Sequence, residues 1–148
     1  MTNATDTQLY FDTSALLPYY REEPLSGDVQ SLLQTITGRV VISDLVEVEI
    51  ASALARWVRM KEFSEADAMT LQNAFTEDME SGCFEKISLS NRHFRQARDW
   101  LLARKTALRT LDALHLACVM ERSAEMVTGD RLLAKGAEVL GIRYRLLG

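Results

Sequence analysis

Short apolar runs alternate with longer helix-forming stretches along this chain, and most switches between them carry a turn or capping residue. Gln8–Phe11, Val40–Ile42, Phe84–Ile87 and Met126–Thr128 read as strands, because brief runs rich in apolar and β-branched residues suit a buried pleated position. Helices are expected over Thr13–Tyr20, over Pro24–Thr37 with Gly38 as its stop, and over Asp44–Lys61 behind the N-cap Ser43. Ser64-Glu-Ala-Asp has the form of a capping box for a helix over Glu65–Ser81, closed by Gly82. Further helices are expected from Ser90 to about Lys105, over Leu111–Arg122 with Thr110 as cap, and over Arg131–Leu140 before Gly141; Arg143–Leu146 adds an edge strand. Strands that alternate with helices pair in parallel, so the pattern predicts an α/β domain.

A chain of 148 residues with 47% apolar content can bury one sizeable core, which excludes disorder. The net charge of −4 argues against a protein that coats nucleic acid electrostatically, although an enzyme can still grip a short stretch through a local basic track. Cys83 and Cys118 lack CxxC spacing and read as two small buried or half-buried hydrophobes, not as a zinc site or disulfide scaffold. The opening MTNATDTQ is polar and has no apolar core segment, so residues 1–8 are expected to be a tail before a domain over 9–148, not a signal peptide. No apolar run reaches the roughly 20 residues of a membrane helix, and the expectation is a cytoplasmic protein with no membrane partner.

Four acids sit where folding alone explains them poorly. Asp12, Glu49, Asp112 and Asp130 lie in or beside the apolar segments LYFDTSALL, LVEVEIASAL, LRTLDALHLA and EMVTGDRLL. Carboxylates approach a core only when something offsets the cost of desolvation. A hard divalent cation would do so for several at once, since Mg²⁺ and Mn²⁺ prefer carboxylate and water oxygens. Each acid also has a plain structural reading. Asp12 and Asp130 stand where helix N-caps stand, Asp112 lies in a first helical turn, and Glu49 could face solvent. Open parallel sheets bind ligands at the carboxyl ends of their strands. Asp12 ends the first strand and Asp130 follows the fourth, so both are expected on one sheet edge. Glu49 and Asp112 fall near the starts of helices that begin there.

The segments YFDTSALL, SDLVEVEIASALAR, RTLDALHLA and VTGDRLLAKGAEVLGI, in this order, resemble the PIN domain, most closely the VapC-type toxins of bacterial toxin–antitoxin pairs. The resemblance runs from about Leu9 to Leu146. Glu47 and Glu49 compete for the family's glutamate; Glu49 is chosen because Ile50 and the small-residue stretch Ala51-Ser52-Ala53-Leu54 follow it. The resemblance implies a PIN-like three-layer α/β/α sandwich with a short central parallel sheet. It implies that Asp12, Glu49, Asp112 and Asp130 form an acidic metal site, with Ser14 and Thr128 as polar neighbours. The implied activity is an endoribonuclease dependent on Mg²⁺ or Mn²⁺. The implied partners are an RNA substrate, a small antitoxin protein and a second copy of the chain. One departure is the length before the first strand, about eight residues where many members have two or three.

Other residues fit around that reading. No Cys-His or Ser-His-Asp set is evident, so covalent catalysis is not favoured. Arg92, Arg95, Arg98, Arg104, Lys105 and Arg109 place six bases within 18 residues of an acidic chain. Arg92, Arg95, Arg98 and Arg109 are candidate substrate contacts, against the alternative of a solvated helix face on which Arg95 pairs with Asp99. His115 lies one turn after Asp112, where it either supports a carboxylate or is a satisfied interior histidine; His93 is expected to be exposed. Most of Trp57, Met60, Phe63, Met69, Phe75 and Met79 are expected to be core, with a subset offering a groove for an amphipathic antitoxin segment. Four clustered acids without a cation should leave at least one carboxyl pKa raised. The competing readings are a PIN nuclease with a housekeeping role in RNA processing and a non-catalytic α/β binding module.

Overall fold

The computed structural model describes residues 8–36 and 40–148. Most of the proposed tail, and Gly38 as a helix stop, lie outside the described residues. Five short strands form one sheet: β1 (Leu9–Phe11), β2 (Val40–Ser43), β3 (Phe84–Ile87), β4 (Glu125–Thr128) and β5 (Tyr144–Leu146), in the order β3-β2-β1-β4-β5. All four pairings are parallel, with Leu9 opposite Val40 on one side and Glu125 on the other. The helices are α1 (Thr13–Tyr20), α2 (Ser26–Thr35), α3 (Asp44–Arg59), α4 (Glu65–Glu80), α5 (Asn91–Ala103), α6 (Thr110–Arg122) and α7 (Arg131–Val139).

Side-chain alternation along the strands splits the core into two layers. Leu9, Phe11, Val40, Ile42 and Val127 face α1–α4, where they pack with Leu16, Val46, Ile50, Leu54 and Phe75. Tyr10, Val41 and Met126 face the other way, toward Leu116, Val119, Leu133 and Ala137 of α6 and α7. With α5 packed on α6 through Ala97 and Leu114, this is the expected α/β/α sandwich. Because β1 is central, its residues are fully buried or nearly so on both faces.

Most elements begin where their caps predict. Ser43 Oγ accepts from the Leu45 amide, and the Ser64–Asp67 capping box is present at the start of α4. Several boundaries shift by a residue or two, and three of the differences have a clear local cause. Pro24 stays in the turn before α2, which starts at Ser26; there the Ser26 hydroxyl accepts from Glu23 N and donates to Pro18 O. Helix α5 stops at Ala103 because Arg104 turns into the left-handed region. Helix α6 is capped by Arg109, not Thr110, which is already helical. Among the described residues no helix is long and apolar enough to cross a membrane.

Candidate active site

The four acids of the sequence reading line one cleft of about 380 Å³ at the carboxyl ends of β1 and β4. Asp12 arrives at the end of β1 and Asp130 two residues after β4. Glu49 comes from the second turn of α3 and Asp112 from the first turn of α6. A larger apolar groove of about 820 Å³ lies between α3 and α4, but none of the four acids lines it. The donor chemistry, not the volume, selects the smaller cleft.

Asp12 is the most enclosed of the four, at 4% exposure. It caps α1 by accepting from the Ala15 amide at 3.0 Å. The Ser14 hydroxyl donates to the carboxylate at 2.8 Å, and Thr128 donates to Oδ2 at 2.7 Å. Ser14 and Thr128 are therefore both hydrogen-bonded neighbours of Asp12. Each also ties in the next turn: Ser14 Oγ accepts from Gly129 N, and Thr128 Oγ1 from Asp130 N. Gly129 sits between them close to Leu25, whose Cδ1 would lie 2.7 Å from a Cβ there and would have to swing aside. Burial raises the Asp12 carboxyl above its usual range, and the nearby His115 and the hydrogen bonds offset this only in part.

Glu49 behaves oppositely. Burial pushes its carboxyl up, but the hydrogen bonds from His115 and from the Thr13 hydroxyl outweigh that and hold it low. His115 Nε2 stands 2.5 Å from Oε1, and Thr13 donates to the same oxygen at 3.0 Å. The expected raised carboxyl is thus Asp12, and its cause is desolvation first, not repulsion among acids. Glu47 is excluded from the cleft: it pairs with Lys86 at 3.2 Å, which also reaches Asp44. The two-residue offset turns it to another face of α3.

Asp112 and Asp130 are joined by a cation from the chain itself. The Arg109 guanidinium donates to Asp112 Oδ2 at 3.2 Å and to Asp130 Oδ2 at 3.4 Å. Asp130 Oδ1 meanwhile caps α7 by accepting from Leu132 N and Leu133 N. Capping does not take Asp12 and Asp130 out of the cleft: each carboxylate caps its helix and also lines the cleft.

A PIN domain model matches residues 9–139, from β1 through α7. The chain belongs to the PIN domain family. Solved structures share the fold at low identity. Mycobacterium tuberculosis VapC20, a toxin that cleaves the sarcin-ricin loop, superposes with a TM-score of 0.68 at 14% identity, over 86% of this chain and 94% of that one. VapBC2 from Rickettsia felis, bound to a DNA fragment from its promoter, gives 0.67 at 14%, over 95% and 98%. FitAcB from Neisseria gonorrhoeae gives 0.67 at 16%, over 93% and 96%. No functionally curated protein matches the chain significantly.

In this PIN domain the donor set suits a hard cation, since four carboxylates line one cleft and a guanidinium already bridges two of them. Among the described residues no three such side chains are gathered into a ready cation cage. Protein donors hold each acid apart instead: the hydroxyls at Asp12, His115 at Glu49, and Arg109 at the remaining pair.

Of the candidate bases only Arg109 lines the cleft. Arg92 pairs with Glu121 at 2.7 Å, and Arg98, not Arg95, pairs with Asp99. His93 is buried, contrary to expectation. Its Nδ1 accepts from Ser90 N, and its Nε2 faces the Glu121 carboxylate of α6. The packing of α5 on α6 encloses it, which a position among arginines did not signal. Cys118 is buried as expected, whereas Cys83 is exposed in the turn after α4. Of the aromatic and methionine set, Phe75 and Met79 line the apolar groove, while Trp57 and Phe63 hold the Arg21 guanidinium.

Sequence reasoning missed Tyr10, Ser43 and Thr13. Thr13 reaches Glu49, and Tyr10 Oη lies 2.6 Å from His115 Nδ1 and 2.7 Å from Ser43 Oγ. Burial raises the Tyr10 phenol well above its ordinary value, so it remains a hydrogen donor. The one available signal was a tyrosine inside a fully apolar strand, since a buried phenol needs a partner.

Proposed function

We propose that this PIN domain is an endoribonuclease dependent on Mg²⁺ or Mn²⁺, and the toxin of a cytoplasmic toxin–antitoxin pair. The observation that carries the reading is the convergence of Asp12, Glu49, Asp112 and Asp130, from four separate segments, on one cleft at the carboxyl edge of the sheet. Asp12 and Asp112 would hold the cation directly, with Glu49 binding its water or accepting that water's proton, and Asp130 orienting the water or holding a second ion. When bound, the divalent ion acidifies that water and neutralises charge developing on the phosphate. Ser14 and Thr128 orient the Asp12 oxygens, and His115 and Thr13 orient Glu49. Arg109 is 70% exposed at the cleft and is the base best placed for the RNA phosphate. Arg92, Arg95 and Arg98 on α5 would extend the track.

The antitoxin and a second copy of the chain are the proposed partners. Several solved neighbours are toxin–antitoxin complexes. The apolar groove between α3 and α4, lined by Ile50, Leu54, Val58, Phe75 and Met79, suits an amphipathic segment.

The test is cleavage of RNA by purified protein in Mg²⁺, Mn²⁺ or EDTA, beside Asp12→Asn and Asp112→Asn. Metal-dependent cleavage lost in both folded variants supports the reading. Full activity in EDTA, or in the variants, overturns it.

A further inference from the structure

Four side chains from four elements form one buried hydrogen-bonded line that ends at the cleft. Glu49 of α3 meets His115 Nε2 of α6 at 2.5 Å, and His115 Nδ1 meets Tyr10 Oη of β1 at 2.6 Å. Tyr10 Oη meets Ser43 Oγ at the end of β2 at 2.7 Å. Tyr10 and Ser43 are 0% exposed and His115 3%. The direction of the line follows from its ends. A Glu49 carboxylate has no hydrogen to give, so Nε2 carries one and donates. In the neutral ring Nδ1 then accepts, so the Tyr10 phenol must donate to it and receive from Ser43 in turn. Ser43 Oγ can serve in this way while accepting from the Leu45 amide.

A purely structural need would not produce this arrangement. Phenylalanine would fill the Tyr10 volume without burying a hydroxyl, and buried polar groups cost free energy unless each is satisfied. The line's one outlet is Glu49. There, both protein bonds land on Oε1, and Oε2 receives none among the described residues.

We propose that Tyr10 and Ser43 are positioning residues of the nuclease site: they fix His115 as its Nε2–H tautomer, which pins Oε1 of Glu49 and reserves Oε2 for the cation or its water. This rests on the nuclease reading above. Outer partners of this kind orient the groups that touch a metal, and their loss typically costs about 10–100-fold in metal affinity or activity.

The experiment uses the full chain and compares wild type, Tyr10→Phe, His115→Gln and the double variant. The chain has only two histidines, so a two-bond ¹H–¹⁵N spectrum resolves the His115 ring. The expected wild-type pattern is the Nε2–H tautomer, lost or mixed in Tyr10→Phe. Calorimetry should show Mn²⁺ binding weakened about 10–100-fold, with kcat for RNA falling and KM little changed. Because Tyr10 acts through His115, the double variant should be no weaker than His115→Gln alone. A folded Tyr10→Phe with an unchanged ring pattern, or with unchanged Mn²⁺ affinity, overturns the proposal. If Tyr10→Phe fails to fold, Ser43→Ala carries the same readouts, since it removes the hydrogen given to Tyr10 but keeps the phenol. A wild type that neither binds Mn²⁺ nor cuts RNA sinks the nuclease reading itself. An active wild type equalled by its variants sinks only the positioning role.

Discussion

Asp12 holds its place at an electrostatic cost. Its carboxyl is raised chiefly by burial, so the folded chain keeps a proton that the unfolded chain has released once pH exceeds the ordinary value of 3.8. Stability therefore falls as pH rises through the window between 3.8 and the raised folded value. Asparagine removes that loss while still accepting from the Ala15 amide, and the Thr128 hydroxyl can turn to accept from its amide nitrogen. In EDTA at pH 7 the Asp12→Asn variant should melt at or above the wild-type temperature, although its metal-dependent cleavage drops by about 100-fold or more. A melting point several degrees lower would show that the charge is repaid within the protein. Glu49 has the opposite sign: its lowered carboxyl contributes stability that is present above the usual carboxylate range and lost on acidification through the folded value.

Helix starts are the elements that build the cleft. Helices α1 and α7 begin at Asp12 and Asp130, whose side chains cap them, and α6 begins at Arg109, whose backbone amide donates to Asp112 at 3.2 Å. The Arg109 side chain couples the starts of α6 and α7 across the cleft. Because it is exposed, the pair adds little to stability, and Arg109→Gln should change the unfolding free energy by no more than about 0.5 kcal/mol. On the proposed nuclease function its effect falls on RNA instead: binding should weaken across sequences, with the salt slope reduced by about 1. An unchanged slope would remove Arg109 from the substrate track. Close packing sets the seat of α7. A Cβ on Gly136 would stand 2.8 Å from Leu108 Cγ and press on Leu108 Cδ2, just ahead of Arg109. Gly136→Ala gains helix propensity of about 1 kcal/mol but overpacks at about 1–3 kcal/mol. Denaturant unfolding should show it less stable, and a stabilised variant would mean that Leu108 moves aside freely.

For the whole molecule, the carboxylates and the fold are linked through ligand binding. A cation that binds only the folded chain stabilises it by RT ln(1 + [L]/Kd), about 2.7 kcal/mol at 100 times Kd. The melting temperature of the wild type should therefore climb with Mn²⁺ concentration, and that of Asp12→Asn should climb much less. Equal shifts in both would place the ion elsewhere on this acidic surface. The groove between α3 and α4 sits on a different face of α3 from the acids, since Ile50 and Leu54 line it while Glu49 lines the cleft. A partner seated in that groove and one reaching the cleft would thus engage the same helix from two sides.

Local chemistry determined much of this protein. Apolar strand runs, the Ser43 and Ser64 caps and the glycine stops are read from neighbours in the chain, so the α/β order and most boundaries followed from sequence. The four acids stood out for the same reason, as charges in apolar segments, and Asp12 and Glu49 have no base close in sequence to pair them. Convergence was predictable only because parallel strands share one carboxyl edge. Which oxygen meets which donor was decided by tertiary packing. The choice between Glu47 and Glu49 rested on a helix face that Lys86 of β3 occupies. The burial of His93 required α6 to cover it, and the line from Ser43 through Tyr10 and His115 joins residues as far as 105 positions apart. Arg109 could be counted as a base from the sequence, but only the meeting of the α6 and α7 starts placed it between two carboxylates. Periodicity and capping act within a turn or two, whereas a buried hydrogen-bond network exists only once distant elements have closed around it.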